Sequence, residues 1–171
     1  MKLINYLIIF SILFINVAFS KEKPPFKNIL VLSEPKIYKE IIFQDRHGAQ
    51  VDLKSINSAE IYILNFWATW CAPCKEELPS LGKLHEKDGI FVFPINLEEK
   101  NLKKVDNFYN DLNIKNLNSY FDEGLKLVKV FALRGVPTSI ILNKNKEVIA
   151  RISGSIDFED REFISWLYTI K

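Results

Sequence analysis

The chain has 171 residues, with 23 Lys and Arg against 21 Asp and Glu, which gives a net charge of +2 at pH 7. A balance this close to neutral argues against a nucleic-acid-binding protein, which would carry a concentrated basic surface. The length fits one ordinary domain with a full hydrophobic core.

The first twenty residues differ in composition from the rest of the chain. Lys2 is their only charge, residues 3–19 are almost entirely apolar, and Ala18-Phe19-Ser20 has small residues where a cleavage site requires them. We predict that residues 1–20 are a secretory signal peptide, with an uncleaved N-terminal membrane anchor as the alternative. Either one exports the rest of the chain, so the predicted location is periplasmic or otherwise extracytoplasmic.

Two further segments follow this leader. Residues 21–39 begin with Lys21-Glu22-Lys23-Pro24-Pro25, which is charged and unable to form a helix. We predict an extended tether over residues 21–39 and a single folded domain over residues 40–171.

The domain begins with a predicted hairpin, in which strands 40–44 and 49–53 flank the turn residues 45–48. Hydrophobic periodicity then predicts, in chain order, a buried strand at 61–67, a helix at 72–87, a buried strand at 90–96, a helix at 99–112, a short strand at 119–121, a helix at 123–133, strands at 138–142 and 147–153, and a last helix at 157–170. Strands that alternate with helices and end in a hairpin and a helix predict a mixed sheet with helices on both faces. The charges of residues 98–111 are predicted to form a solvated helix face.

The two cysteines of the chain, Cys71 and Cys74, fall between the predicted strand 61–67 and the predicted helix 72–87. A thiol at a helix N-terminus feels the positive end of the backbone dipole, which favours the thiolate that attacks disulfides. A second thiol three residues later can resolve the mixed disulfide within one helical turn. The spacing therefore predicts a site of dithiol/disulfide exchange.

A structural bridge and a metal site are weaker explanations of the same pair. A bridge that closes a loop of about four residues would stabilise the fold by only roughly 2 kcal/mol. Structural zinc takes four ligands, yet there is no second cysteine pair, and His47 and His85 are far apart in sequence. We therefore predict no metal.

The cysteines belong to a longer set of motifs that resembles a known family. The motifs are Asn65-Phe66-Trp67-Ala68-Thr69-Trp70-Cys71-x-Pro73-Cys74, its continuation through Glu77 and Pro79, Gly135-Val136-Pro137-Thr138, and a terminal ββα unit. They resemble the thioredoxin superfamily, and within it the exported TlpA/ResA-type thiol:disulfide oxidoreductases, close to the cytochrome c maturation thioredoxins. The resemblance implies an α/β fold: a thioredoxin-like three-layer α/β/α sandwich with a central mixed sheet, an N-terminal β-hairpin and a helix-containing insertion. One departure is Asn65, where cytosolic thioredoxin carries an aspartate.

Helix periodicity separates the expected roles of the two cysteines. Cys71 at the helix tip is predicted to be the exposed attacking thiol. Cys74 shares an apolar stripe with Leu78 and Leu81, so it is predicted to be the shielded resolving thiol. Pro73 suits the first helical turn, where its missing N–H costs nothing.

Glu77 is the third predicted catalytic residue. On a helical wheel it falls about 60° from Cys74, on the apolar side of the helix. A partly desolvated carboxyl there should titrate high and could take the proton from Cys74, and the resembled family also carries an acid at this place. The alternative is a first-turn surface charge that favours the helix dipole, as predicted for Glu76.

Four more residues complete the predicted site. Trp67 and Trp70 are expected to give the thiols an apolar surround, either by substrate contact or by core packing. Pro137 resembles the family's cis-proline, which faces the cysteines and leaves the backbone of Val136 free to pair with an extended substrate.

The resemblance implies an exported enzyme that reduces protein disulfides, with apocytochrome c or the copper-site cysteines of oxidase assembly factors as substrates. It also implies a membrane thiol-reductant transporter as electron source and no bound cofactor. The alternatives are a thiol peroxidase, whose Pro-x-x-x-Thr-x-x-Cys signature is absent, and a copper chaperone, whose wider cysteine spacing and added histidine are absent.

Overall fold

The computed structural model describes residues 23–170 of the chain. The predicted signal peptide or anchor at 1–20 lies outside the described residues. Within residues 23–170, no helix is long and apolar enough to cross a bilayer.

An eight-stranded mixed sheet forms the centre of the molecule, in the order β1-β8-β7-β4-β5-β6-β2-β3. Its strands are β1 (Ile29–Lys36), β2 (Ile42–Asp45), β3 (Gln50–Asp52), β4 (Ile61–Trp67), β5 (Ile90–Asn96), β6 (Tyr120–Phe121), β7 (Thr138–Asn143) and β8 (Val148–Ser153). The helices are α1 (Ala72–His85), α2 (Leu102–Asp111), α3 (Lys126–Val130) and α4 (Arg161–Thr169). The predicted hairpin is confirmed as β2 and β3, and the predicted strands 61–67 and 90–96 match β4 and β5.

Strand β4 lies between β7 and β5 in the middle of the sheet, and all of its residues are buried. An almost continuous apolar run suits this position because a central strand is covered on both faces. It pairs in parallel with β5 and antiparallel with β7. Its alternate side chains enter two hydrophobic clusters, one shared with α1, α2 and α4 and the other with α3 and the β2–β3 hairpin. The predicted three-layer α/β/α arrangement is thus confirmed, with helices on both faces of the sheet.

The predicted tether needs correction. Residues 29–36 are extended as predicted, but they form edge strand β1, which pairs antiparallel with β8, Ile29 lying opposite Ile152. The sheet therefore begins before residue 40. The alternation in this segment is weak because β1 exposes Leu30 and most of its polar residues at the sheet edge.

All four predicted helices are shorter in the structure, and α1 ends at His85, two residues before its predicted end. Residues 123–133 do not form one helix, because Gly124 and Leu125 adopt left-handed backbone with φ of 68° and 54°. A 3₁₀ turn therefore precedes α3. Helices α2 and α4 begin later than predicted because Asn101 and Asp160 cap their first turns, each accepting a backbone N–H three residues on.

Candidate active site

The two cysteines lie where β4 turns into α1. Cys71 is the N-cap of α1, and its Sγ accepts the backbone N–H of Cys74 at 3.2 Å. The pair forms a disulfide with a Cα–Cα distance of 5.3 Å. The predicted pair of cysteines at a helix N-terminus is therefore present, as a disulfide, in the position where the helix dipole favours a thiolate.

Access to the two sulfurs differs less than predicted. Cys74 is fully buried, while Cys71 is 4% exposed, so the expectation of a freely exposed Cys71 is wrong for this disulfide form. Both residues belong to the hydrophobic cluster between α1 and the sheet, which explains the low exposure. Cys71 remains the more accessible of the two.

Glu77 lies on the buried side of α1, as its position on the helical wheel predicts. It is 3% exposed, and its Oε1 accepts a hydrogen bond of 2.8 Å from Nδ2 of Asn65 on β4. The same Nδ2 donates to Oγ of Ser139 on β7 at 3.0 Å. One buried polar network therefore joins α1 to the two central strands.

Burial dominates the electrostatics of Glu77. Desolvation raises the pKa of its carboxyl to about 8, although the hydrogen bond from Asn65 and the nearby backbone N–H of Ile156 both lower it. The second carboxyl oxygen, Oε2, is buried with no fully formed hydrogen bond within residues 23–170. At pH 7 the protonated form of Glu77 therefore outnumbers the anion by about ten to one in the disulfide form.

A surface cleft of about 510 Å³ reaches Glu77 from the solvent. Its lining comes from α1 and from the connection between β8 and α4, including Ser155 and Asp157. Ser80 also lines the cleft, and its Oγ accepts the N–H of Phe158 at 3.1 Å. The cleft gives a buried carboxyl a short route for exchanging protons with water.

The segment before β7 lies at the same edge of the sheet as the cysteines. Thr138 pairs with Phe66, so one more step of the register places Pro137 beside Trp67, where β4 leads into the cysteine turn. The Val136–Pro137 peptide bond is cis, as the resemblance implies. Within residues 23–170 the backbone N–H and C=O of Val136 make no hydrogen bond.

The two tryptophans take opposite positions. Trp67 is fully buried and stacks on Phe108 and Tyr109 of α2, with ring centroids 5.1 and 5.5 Å away, so its contribution is core packing. Trp70 is 71% exposed beside Cys71, the position expected of a substrate contact. Pro73 is the second residue of α1 and is exposed.

Two residues of the site are absent from the sequence-based predictions. Asn65 differs from the aspartate of thioredoxin in the sequence, and its contact with Glu77 follows from a helix-to-strand packing that periodicity does not reveal. The sequence predicts a solvated helix face that includes Glu98, which is wrong for this residue: its carboxylate accepts the N–H of Thr69 at 2.6 Å and the Thr69 hydroxyl at 3.0 Å. The available signal was its place just after β5, since neighbouring parallel strands end at one edge of the sheet.

No cluster of three or more His, Cys, Asp or Glu residues that could hold a metal ion occurs in the part of the chain that the structure describes.

Comparison with known proteins places this geometry in a family. The model of the Redoxin family matches residues 23–162. The chain belongs to the Redoxin family. Its relatives include the thiol-disulfide oxidoreductase ResA of Bacillus anthracis, 29% identical over 124 residues that cover 71% of this chain and 70% of ResA. ResA of Bacillus subtilis (strain 168) is 24% identical over 128 residues, which cover 73% of this chain and 70% of that protein.

Solved structures agree with this assignment. StoA from Bacillus subtilis superposes with a TM-score of 0.60 and 26% identity, covering 77% of this Redoxin-family chain and 98% of StoA. A secreted thiol-disulfide isomerase from Corynebacterium glutamicum, at 22% identity, shares the fold with a TM-score of 0.68 over 86% of this chain and 96% of that one. The chain is accordingly a thiol:disulfide oxidoreductase with a thioredoxin fold.

Glu77 makes the stability of the disulfide form depend on pH. Its pKa rises from 4.5 to about 8 on folding, so the folded state binds the extra proton between these values. We expect the contribution of Glu77 to the free energy of unfolding to be fully present below about pH 4.5 and to fall by up to roughly 4 kcal/mol by about pH 8. Urea unfolding from pH 4 to 9 measures this decline, and Glu77→Gln should flatten it. An equal decline in Glu77→Gln would contradict the assignment.

Asn65→Ala should raise the pKa of Glu77 further, by about one unit, because it removes a side-chain donor to the carboxylate. The measurement is the titration of the Glu77 carboxyl by carbon-13 NMR of the disulfide form. Ser139→Ala is the matched control, since it removes the other partner of Asn65 and leaves the bond to Glu77 in place. An unchanged titration in Asn65→Ala would show that this bond does not control the carboxyl.

Proposed function

We propose that this oxidoreductase is exported and reduces disulfides of protein substrates, with Cys71 as attacking thiol and Cys74 as resolving thiol. The observation that carries the proposal is the Cys71–Cys74 pair at the N-terminus of α1, with Cys74 fully buried and the high-pKa carboxyl of Glu77 one turn further along the same helix.

In the proposed reaction the Cys71 thiolate attacks one sulfur of the substrate disulfide. A Cys71–substrate mixed disulfide forms, and the other substrate sulfur leaves as a thiolate that takes a proton from water. The Cys74 thiolate then attacks Sγ of Cys71, which expels the second substrate thiolate and closes the Cys71–Cys74 disulfide. Two electrons pass from the dithiol to the substrate.

Glu77 has the position and the pKa of the group that takes the proton from Cys74. As Cys74 attacks, its thiol must lose a proton inside an apolar cluster where no solvent reaches the sulfur. A carboxylate one helical turn away can accept it, and the disulfide form is the state in which Glu77 holds a proton at pH 7. The cleft beside α1 then releases that proton to water.

Substrate binding is assigned to Val136, Pro137 and Trp70. The unpartnered backbone of Val136, within the described residues, can pair with an extended substrate segment as an added strand. The exposed indole of Trp70, adjacent in sequence to Cys71, supplies apolar contact. Two further residues support the site. Trp67 supports it by packing in the core, and Pro73 supports it by shaping the first turn of α1.

The finer assignment rests on the resemblance to the cytochrome c maturation thioredoxins and on residues 1–20. We assign as substrates apocytochrome c or the assembly factors of respiratory oxidase, and as electron source a membrane thiol-reductant transporter that returns the Cys71–Cys74 disulfide to the dithiol.

Cysteine variants test the order of attack. Cys71→Ser should abolish exchange with a model disulfide, whereas Cys74→Ser should still form mixed disulfides and should hold them, because the resolving thiol is gone. Mass spectrometry of the trapped adducts measures both. Faster alkylation of Cys74 than of Cys71 in the reduced protein would reverse the assigned roles.

The same Cys74→Ser variant identifies the physiological substrate. Expressed at native level, it should retain exported proteins disulfide-linked to Cys71, and apocytochrome c or an oxidase assembly factor is expected among them. Recovery of only cytoplasmic proteins would contradict export, and recovery of other exported proteins would remove the cytochrome and oxidase assignment.

Glu77→Gln should slow the closure of the Cys71–Cys74 disulfide by on the order of tenfold to a hundredfold, because the proton of Cys74 loses its acceptor. It should also lower the pKa values of the thiols, since a negative neighbour is removed. Stopped-flow release of product thiol and pH-dependent alkylation measure the two effects. The control is Glu76→Gln, which changes an exposed residue one position earlier on α1 and should behave as the parent protein. If Glu77→Gln also had the closure rate and thiol pKa values of the parent protein, Glu77 would have a structural role only.

A further inference from the structure

The turn between β4 and Cys71 is held by a carboxylate from another part of the chain. Glu98, just after β5, accepts the backbone N–H of Thr69 at its Oε2, 2.6 Å away, and the Thr69 hydroxyl at its Oε1, 3.0 Å away. Hydrogen bonds to a charged acceptor are the stronger kind, and two to one residue also fix its orientation. We call this pair of bonds the Thr69 clamp.

The clamp is itself anchored. Nζ of Lys104 on α2 donates to Oε1 of Glu98 at 2.5 Å, and the side-chain oxygen of Asn96 accepts the N–H of Glu98 at 2.8 Å. Half-burial raises the pKa of Glu98, but Lys104 and Thr69 outweigh it and hold the pKa below its ordinary value. The carboxylate therefore stays charged at neutral pH, as a clamp requires.

The clamp does not serve to cap α1. That helix has its own cap, since the Cys74 N–H donates to Sγ of Cys71, and Thr69 lies two residues before that cap. The neighbouring strand ends are also joined without it, because the N–H of Leu97 donates to the carbonyl of Trp67 at 3.0 Å. What the clamp adds is a fixed backbone direction at Thr69, immediately before Trp70.

Trp70 depends on that backbone direction. Its side chain is 71% exposed and, within residues 23–170, makes no hydrogen bond, ion pair or aromatic contact that would orient it. An exposed indole left to rotate freely would lose conformational entropy on binding a partner. The backbone of Trp70, and with it the direction in which the side chain leaves the turn beside Cys71, is held by the chain on either side, which is the disulfide turn on one side and the Thr69 clamp on the other.

We propose that Glu98 is a positioning residue for recognition of protein substrates: through Thr69 it fixes the turn that presents Trp70 beside Cys71. The proposal rests on the proposed reaction at Cys71 and adds to it a residue that touches neither the thiols nor the substrate. It also gives the segment between β5 and β6 a role, because Glu98 and Lys104 both belong to it.

The test compares two substrates of different size. Reduced parent protein and Glu98→Ala are assayed with an oxidised, partly unfolded protein and with the small disulfide 5,5′-dithiobis(2-nitrobenzoate), which carries no polypeptide segment for the turn to recognise. We expect Glu98→Ala to raise KM for the protein substrate roughly tenfold with little change in kcat, and to change the rate with the small disulfide less than about twofold. Thr69→Val, which keeps the N–H and loses the hydroxyl, should give a smaller effect of the same kind.

Two controls separate positioning from general damage. The first control is Glu99→Ala, which removes an exposed charge next to Glu98 that takes no part in the Thr69 clamp. It should match the parent protein with both substrates. Acrylamide quenching of tryptophan fluorescence reports Trp70 directly, because Trp67 and Trp166 are buried, and its quenching constant should change in Glu98→Ala and not in Glu99→Ala.

The outcomes distinguish this inference from the function on which it rests. If the parent protein reduces neither substrate, the proposed function fails. If it reduces both and Glu98→Ala slows both equally, or leaves KM for the protein substrate unchanged, the positioning role is overturned. A Trp70→Ala variant should reproduce the substrate-size dependence of Glu98→Ala, and the double variant should be no worse than Trp70→Ala alone.

Discussion

A buried carboxyl with one side-chain hydrogen bond is the interaction on which the rest of this site depends. The contact of Glu77 with Asn65 crosses from α1 to β4, so the helix that carries both cysteines is joined to the centre of the sheet by a polar bond within an apolar cluster. A bond in such a place is costly when only half satisfied, and here one oxygen of the carboxyl lacks a full partner among the described residues. Protonation of Glu77 removes the charge and so relieves that cost. The burial of this carboxyl is therefore also the reason that it holds a proton near neutral pH.

The same constraint explains why the residue facing Glu77 is an amide. Cytosolic thioredoxin carries its buried acid on this strand, whereas here the strand offers Asn65 and the helix offers the acid. An Asn can donate to the carboxylate when Glu77 is ionised, and two carboxyls in contact would oppose each other's ionisation. The substitution on the strand therefore fits an acid displaced to α1, one turn from Cys74.

Much of the fold was predictable because its signals are local. The continuous apolar run of β4, the periodicity of α1 and the paired turn of the β2–β3 hairpin each appear within one segment, and the structure reproduces them. Strand β1 was missed because an edge strand needs only one buried face and Leu30 is exposed. The single helix expected after β6 was wrong because Leu125, a residue with no local turn signal, takes a left-handed backbone.

The residues of the site likewise fall into those with a local sequence signal and those without one. Motif and helical wheel were enough to single out the dithiol and Glu77, but the partners Asn65, Ser139 and Glu98 come from contacts between segments far apart in sequence, which periodicity cannot supply. Because of these partners and of their different burial, the two carboxyls of Glu77 and Glu98 differ in protonation. Glu77, buried among apolar groups, keeps a proton near neutral pH, whereas Glu98, paired with Lys104 and two donors of Thr69, keeps its charge. Environment alone suits one carboxyl to move a proton beside Cys74 and the other to hold the backbone at Thr69, two residues before Cys71.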